Sequence, residues 1–267
     1  MTLLARSPRG VTLTEAGEVL LDHARDILAA LDRASEDVRL AGSEPQGQVT
    51  FGLPSSVSMV LSVPLAETLR VELPKVHFRA SEAMSGHIRD WLEDQSLDLA
   101  ILYDVNALRH MHSRQILIED LYFFSAPDAW PLDTPPDTPA RLADIARHDL
   151  VLPSPSHGLR AMIDRFAKSA GIVLNVWLEM DALTQIKELV SRGSAFTILA
   201  PASAQDRVER GELVAAPITD PVLRRPVYIV KNPSKRLTRA TVEVERITTT
   251  VIADLVDRGI WRGQIAR

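Results

Sequence analysis

The chain has 267 residues, 46% hydrophobic and 24% charged, with a formal charge of −5 and no cysteine. This is the composition of a globular protein with one large domain or two moderate ones. It excludes disulfides and thiolate metal sites, and its net acidity makes the chain a poor free-standing nucleic-acid binder. No run of eighteen apolar residues marks a membrane span, and no basic, apolar leader marks a secretory signal, so a cytoplasmic location is expected.

In chain order, Pro8-Arg-Gly10 is a turn signal between two short extended pieces, and Thr14-Glu15 opens a helix. From Thr14 to Ala41, Leu20, Ala24, Ile27, Leu31, Ala34 and Val38 recur at alternating spacings of four and three. That is the seam of a coiled coil, with charged residues on the outer positions. A partner helix fits so narrow a stripe better than a broad core does, so self-association is expected; the alternative is an amphipathic helix lying on its own domain. Gly42 to Gly47 is a short hinge.

Beyond the hinge, strands and helices alternate, which predicts an α/β fold. Strands are expected at Val49–Leu53, His77–Ala80 and Leu97–Leu102, with helices over about 57–72 and 86–93 between them. A second series starts near Asp120–Ser125 and crosses a proline-rich loop from Pro131 to Pro139. It continues with strands at Leu150–Pro153, Val176–Glu179 and Phe196–Leu199. Its helices are expected over about 158–170 and after Asp181, which is read as the cap of the second, with Gly193 as terminator. Pro226–Val230 then returns as a strand, and Thr238–Val256 forms a last helix. Two such sets joined by two crossovers imply two lobes.

The opening Leu3-Leu-Ala-Arg-Ser-Pro-Arg-Gly-Val-Thr-Leu-Thr-Glu-Ala-Gly17 resembles the wing and linker-helix start of LysR-type transcriptional regulators. Further matches follow in the same order. Gly52-Leu-Pro-Ser-Ser56 resembles the first regulatory strand and turn. Leu92-Glu-Asp-Gln-Ser-Leu-Asp-Leu-Ala-Ile101 resembles the L-x-x-G-x-L-D-L-A-I step, read with Ser96 in place of glycine. Leu152–Arg160 and Leu189–Gly193 resemble second-lobe elements. Two departures concern the second lobe: Gly193-Ser-Ala195 lacks the usual second glycine, and Ala200-Pro201 displaces a proline by one position. Within the family, Ser81–Ile88 and the text around Gly52 resemble the nitrogen-assimilation regulators.

The resemblance implies a periplasmic-binding-protein-like, two-lobed effector domain. It would comprise residues 1–13 as the remnant of a winged helix-turn-helix, 14–47 as linker helix and hinge, 48–118 plus 223–267 as lobe I, and 119–222 as lobe II. It further implies a small anionic or polar effector, a homodimer or tetramer, promoter DNA as partner in a full-length form, and RNA polymerase as a further partner. No membrane, cofactor or metal is implied. The recognition helix that reads the major groove has no residues here, so the 267 residues alone are expected to show no DNA sequence preference.

In this family the effector sits between the lobes, in agreement with the rule that open α/β sheets bind ligands beyond the carboxyl ends of their strands. Three helix starts are expected to converge there: Pro54-Ser55-Ser56, Ser85-Gly86 and His157-Gly158. Free N–H groups and helix dipoles favour an anion at such a place, and Arg160 is a candidate carboxylate partner. The alternative is that these serines merely cap their helices. Arg6 and Arg9 in the wing are candidate phosphate contacts. His110-Met-His112 lacks a third ligand, and no nucleophile, base and orienting group occur together, so neither a metal site nor an enzyme is expected. A two-lobed solute-binding protein is the alternative function; the heptad helix and the lack of a signal peptide argue against it.

Overall fold

The computed structural model describes residues 2–7, 10–14, 16–21, 23–24, 27–28, 44–105, 108 and 110–266. Two compact units are present, Met1–Glu44 and Pro45–Arg267.

In the first unit, β1 (Leu4–Ser7) and β2 (Gly10–Leu13) pair antiparallel, from Leu4 opposite Leu13 to Ser7 opposite Gly10. Backbone at residues 16–21, 23–24 and 27–28 is helical. Thr14 supplies the cap, its Oγ1 accepting from Gly17 N at 3.1 Å. A Cβ at Gly17 would lie 2.1 Å from the Leu3 carbonyl oxygen, so only glycine lets the helix start this close to the hairpin. Of the seam, Leu20 and Ile27 are exposed in the single chain, at 48% and 66%, and Ala24 is half-buried. Leu31, Ala34, Val38 and Arg9, with the side chain of Arg6, lie outside the described residues.

The second unit has two lobes. In lobe I, β3 (Gly47–Leu53) lies between β4 (Val76–Glu82) and β5 (Leu99–Leu102), parallel to both. The sheet continues antiparallel through β13 (Arg224–Lys231) and β6 (His112–Asp120) to a two-residue strand, β14 (Gln264–Ile265). One face packs against α1 (Ser55–Glu72) and α7 (Arg239–Asp257), around Phe51, Leu61, Leu65, Val244 and Trp261. The other packs against α2 (Ser85–Glu93) through Ile88, Leu92 and Leu97. A Cβ on Gly52 would come within 2.8 Å of Ile88, so this glycine sets how closely α2 approaches.

Lobe II holds β7 (Tyr122–Ser125) between β11 (Thr197–Leu199) and β12 (Val214–Thr219), with β8 (Ala140–Arg141) beyond β12. The parallel pair β9 (Leu150–Leu152) and β10 (Val176–Glu179) joins this sheet through a bridge between Leu150 and Phe196. Its helices are α3 (Leu142–Ile145), α4 (Gly158–Ser169), α5 (Leu183–Ser191) and α6 (Gln205–Glu209).

The sequence reading lacked β6, whose polar first half hides its apolar second half, and β12, whose two alanines and Pro217 are poor strand formers. Asp181 does not cap α5; Ala182 holds that position without a side-chain bond. The left-handed residue in the 92–101 step is Gln95 (φ 64°), so Gln95 and not Ser96 stands at the glycine position.

Candidate functional site

The chain passes between the lobes twice, at the end of β6 and the start of β13. These strands pair antiparallel up to Asp120 opposite Arg224, and Leu121 N then donates to Leu223 O at 2.9 Å. This two-stranded neck carries a buried cross-strand ion pair. Arg225 is 2% exposed and Glu119 1%, and they face each other in register. Arg225 donates from Nε (2.8 Å) and Nη2 (2.6 Å) to Glu119 Oε1. Trp261 Nε1 donates to Glu119 Oε2 at 2.8 Å. Burial opposes the Arg225 charge, but Glu119 more than compensates and its pKa lies above the ordinary guanidinium value.

The network reaches the cleft through Ser56. Arg225 Nη2 donates to Ser56 Oγ at 3.3 Å, and Ser56 Oγ lies 2.5 Å from Tyr103 Oη. The Arg225 guanidinium also stacks 3.9 Å from the centre of the Tyr103 ring. Burial pushes the Tyr103 hydroxyl up to about 12, so it stays protonated at neutral pH.

Above this network lies a cavity of about 30 Å³ between the lobes. The starts of three helices line it: Pro54, Ser55 and Ser56 from α1, His157 and Leu159 from α4, and Leu183 and Ile186 from α5. Asp181 and Arg225 add charge, and Leu199 and Ala200 add apolar wall. The start of α5 was not among the sequence candidates. Ser85 stands beside the start of α4: its Oγ would be 3.7 Å from a Cβ on Gly158.

The capping alternative fails for all three serines. The N-cap residues of α1 and α2 are Pro54 and Met84, and neither helix has a side-chain cap. Ser56 is committed to Tyr103 and Arg225, and the buried Ser85 Oγ has no hydrogen-bond partner. The first N–H groups of both helices therefore lack side-chain acceptors. At α4 the cap is His157, whose Nδ1 accepts from Leu159 N at 3.1 Å. Its neutral ring then carries the proton on Nε2. Burial lowers the His157 pKa, nearby Arg225 lowers it further, and Asp181 opposes them. Asp181 accepts from Ser154 N (2.9 Å) and Ser154 Oγ (3.1 Å), and the backbone bond chiefly holds its carboxyl below the usual range.

Three candidates, Ser85, Gly86 and Arg160, stand apart from the cavity lining. Arg160 is engaged elsewhere, with Nε on Asp164 at 2.9 Å and Nη1 on the Pro153 carbonyl and Glu179, each at 3.1 Å. Gly86 faces open space, with nothing within 4 Å of where its Cβ would be. Arg225, Glu119 and Tyr103 were missed because each reads locally as an ordinary strand or loop residue. Larger depressions exist elsewhere, one of about 390 Å³ beside Arg114 and Lys231 and one of about 680 Å³ beside Arg141. Arg114 and Lys231 are paired with Glu245 and Arg141 with Asp144, and neither depression holds a charged side chain as buried as Arg225. Among the described residues, no group of three or more His, Asp or Glu side chains is placed to hold a metal. No helix among them is long and apolar enough to cross a membrane.

Residues 42–248 match the family model described as LysR substrate binding domain. The chain is similar to the nitrogen assimilation regulatory protein nac of Klebsiella aerogenes, 31% identical over 204 residues, which are 76% of this chain and 65% of that protein. The match to this relative thus spans just under two thirds of its length. The HTH-type transcriptional regulator BbuR of Bordetella bronchiseptica is 26% identical over 98% of this chain and 80% of its own. Among solved structures, an H2O2-bound mutant of Corynebacterium glutamicum OxyR superposes with a TM-score of 0.70 at 21% identity, over 97% of this chain and 82% of that one. The Synechocystis PCC6803 CcmR regulatory domain in complex with 2-PG gives 0.69 at 17% identity, over 77% and 97%. These structural likenesses establish the two-lobed fold.

Proposed function

The chain belongs to the LysR substrate-binding family, and from that premise we propose that it is the ligand-sensing and self-associating part of a transcriptional regulator. A small polar or anionic effector binds between the lobes, 48–118 plus 223–267 on one side and 119–222 on the other. Its contacts are Ser55, Ser56, Ser85, His157 and the starts of α1 and α4. In a full-length form the same protein binds promoter DNA, with Arg6 and Arg9 on phosphates, acts in the cytoplasm as a homodimer or tetramer, and performs no catalysis.

One observation carries this reading: three helix starts and a buried arginine meet in one cavity at the neck joining two lobes. A cavity of about 30 Å³ holds about one water, so a ligand of several heavy atoms enters only as the lobes or their side chains move. Binding is thereby coupled to lobe geometry, and it shifts that equilibrium by its differential affinity for the two arrangements. The test is hydrogen exchange with and without small polar acids, amides and amino acids. Protection centred on residues 55–56 and 157–159, lost in Ser55→Trp, is expected; ligand protection unaffected by that substitution would place the site elsewhere.

A further inference from the structure

The charge balance of the cleft differs from what its helix starts suggest. Helix N-termini attract an anion, and Arg225 lines the cavity, but that arginine is already matched by Glu119 directly behind it. The pair adds no net charge. His157 is held neutral by burial. The remaining ionised side chain lining the cavity is Asp181, kept charged by the Ser154 N–H and hydroxyl. Each Asp181 oxygen takes one bond from Ser154, and a carboxylate oxygen accepts two.

The cavity therefore has two poles. Free helix N–H groups and the Ser55 hydroxyl form one, and the Asp181 carboxylate forms the other. A plain carboxylic acid satisfies the first and brings a like charge near the second; a plain amine does the reverse. Apolar wall from Leu183, Ile186 and Leu199 completes the site.

Resting on the cleft reading above, we propose that the ligand is a small zwitterion of the α-amino-acid type. Its carboxylate lies at the starts of α1 and α4, its ammonium on Asp181, and its short aliphatic chain against Leu183, Ile186 and Leu199. Calorimetry on the full chain with L-valine, 3-methylbutanoate and 2-methylpropylamine tests this, because the last two each lack one charged group of the first. L-Valine is expected to bind at least about tenfold more tightly than either, the ~1.4 kcal/mol scale of one good charge-assisted bond. Asp181→Asn, which keeps an acceptor for Ser154, is expected to cut the preference over 3-methylbutanoate to less than about threefold.

Binding of 3-methylbutanoate as tightly as L-valine overturns the inference, and so does no binding by any of the three probes. Should Asp181→Asn fail to fold, the comparison in the unaltered chain still decides. Ser55→Trp separates the two readings. L-Valine binding that survives it overturns the cleft itself, whereas binding lost in Ser55→Trp but without the preference leaves the cleft and removes the zwitterion.

Discussion

Arg225 gives two hydrogen bonds to a single oxygen of its cross-strand neighbour Glu119, and Trp261 holds the other oxygen. The pair thereby ties the lobe neck to the C-terminal segment and, through Ser56, to the cleft. Truncating one partner leaves the other charge buried and uncompensated, which costs about 3–5 kcal/mol. Glu119→Ala and Arg225→Ala are each expected to lose stability of that order in urea unfolding. Glu119→Gln combined with Arg225→Met is expected to lose less than the two Ala changes summed, because no charge is then stranded. A single-variant loss below about 1 kcal/mol would mean that water reaches the pair.

Ser85 makes the opposite prediction. Its buried hydroxyl has no partner, and removing an unsatisfied polar group is close to neutral or stabilising. Ser85→Ala is expected to leave the melting temperature unchanged or raise it. If the hydroxyl is held for a ligand, the same change weakens L-valine binding about 3- to 10-fold, the scale of one net hydrogen bond. A clear fall in melting temperature together with unaltered binding would show the group to be structural.

The lobes were legible because apolar runs such as Leu99–Leu102 and Leu150–Leu152 are short, buried and bounded by turn residues. Pro54-Ser-Ser56 and His157 were legible because helix starts have a local signature. The neck was not. Glu119 and Arg225 are 106 positions apart, and each lies beside an exposed charge, Asp120 or Arg224, that reads identically in sequence. Only the register of β6 on β13 separates the buried member of each doublet from the exposed one. Asp181 was misassigned for a related reason: an acid before a helix normally caps it, and its bond to Ser154 depends on a loop 27 residues away.

Gln95 carries a left-handed backbone (φ 64°) in a short connection where glycine fits without strain. Such a conformation costs a non-glycine residue about 1–2 kcal/mol, partly offset by the extra freedom glycine gives the unfolded chain. Gln95→Gly is expected to stabilise by up to about 1 kcal/mol in thermal or urea unfolding. A loss of stability would mean that the Gln95 side chain contributes more than its backbone costs.

His157 sets a pH dependence. Its folded pKa lies below 6.5, chiefly through burial, while an unfolded histidine titrates near 6.5. Between the two values the unfolded chain binds more protons, so stability is lost as pH falls below about 6.5. His157→Asn keeps a capping acceptor and removes the titration. The variant is expected to lose less stability than the unaltered chain between about pH 7 and pH 5.5. Equal losses would place the acid sensitivity in another group.

Leu20 and Ile27 leave 48% and 66% of their surface exposed within the single chain, although both occupy the heptad stripe that continues to Leu31 and Val38 in the sequence. A narrow apolar stripe buries itself against a second helix, and a short isolated helix gains little stability by itself. Ile27→Asp with Leu31→Asp sets charges into that stripe, where an unpaired carboxylate is costly. Sedimentation is expected to show the unaltered chain associating and the double variant as a monomer of 29.5 kDa. An unchanged oligomer in the double variant would move self-association to another surface.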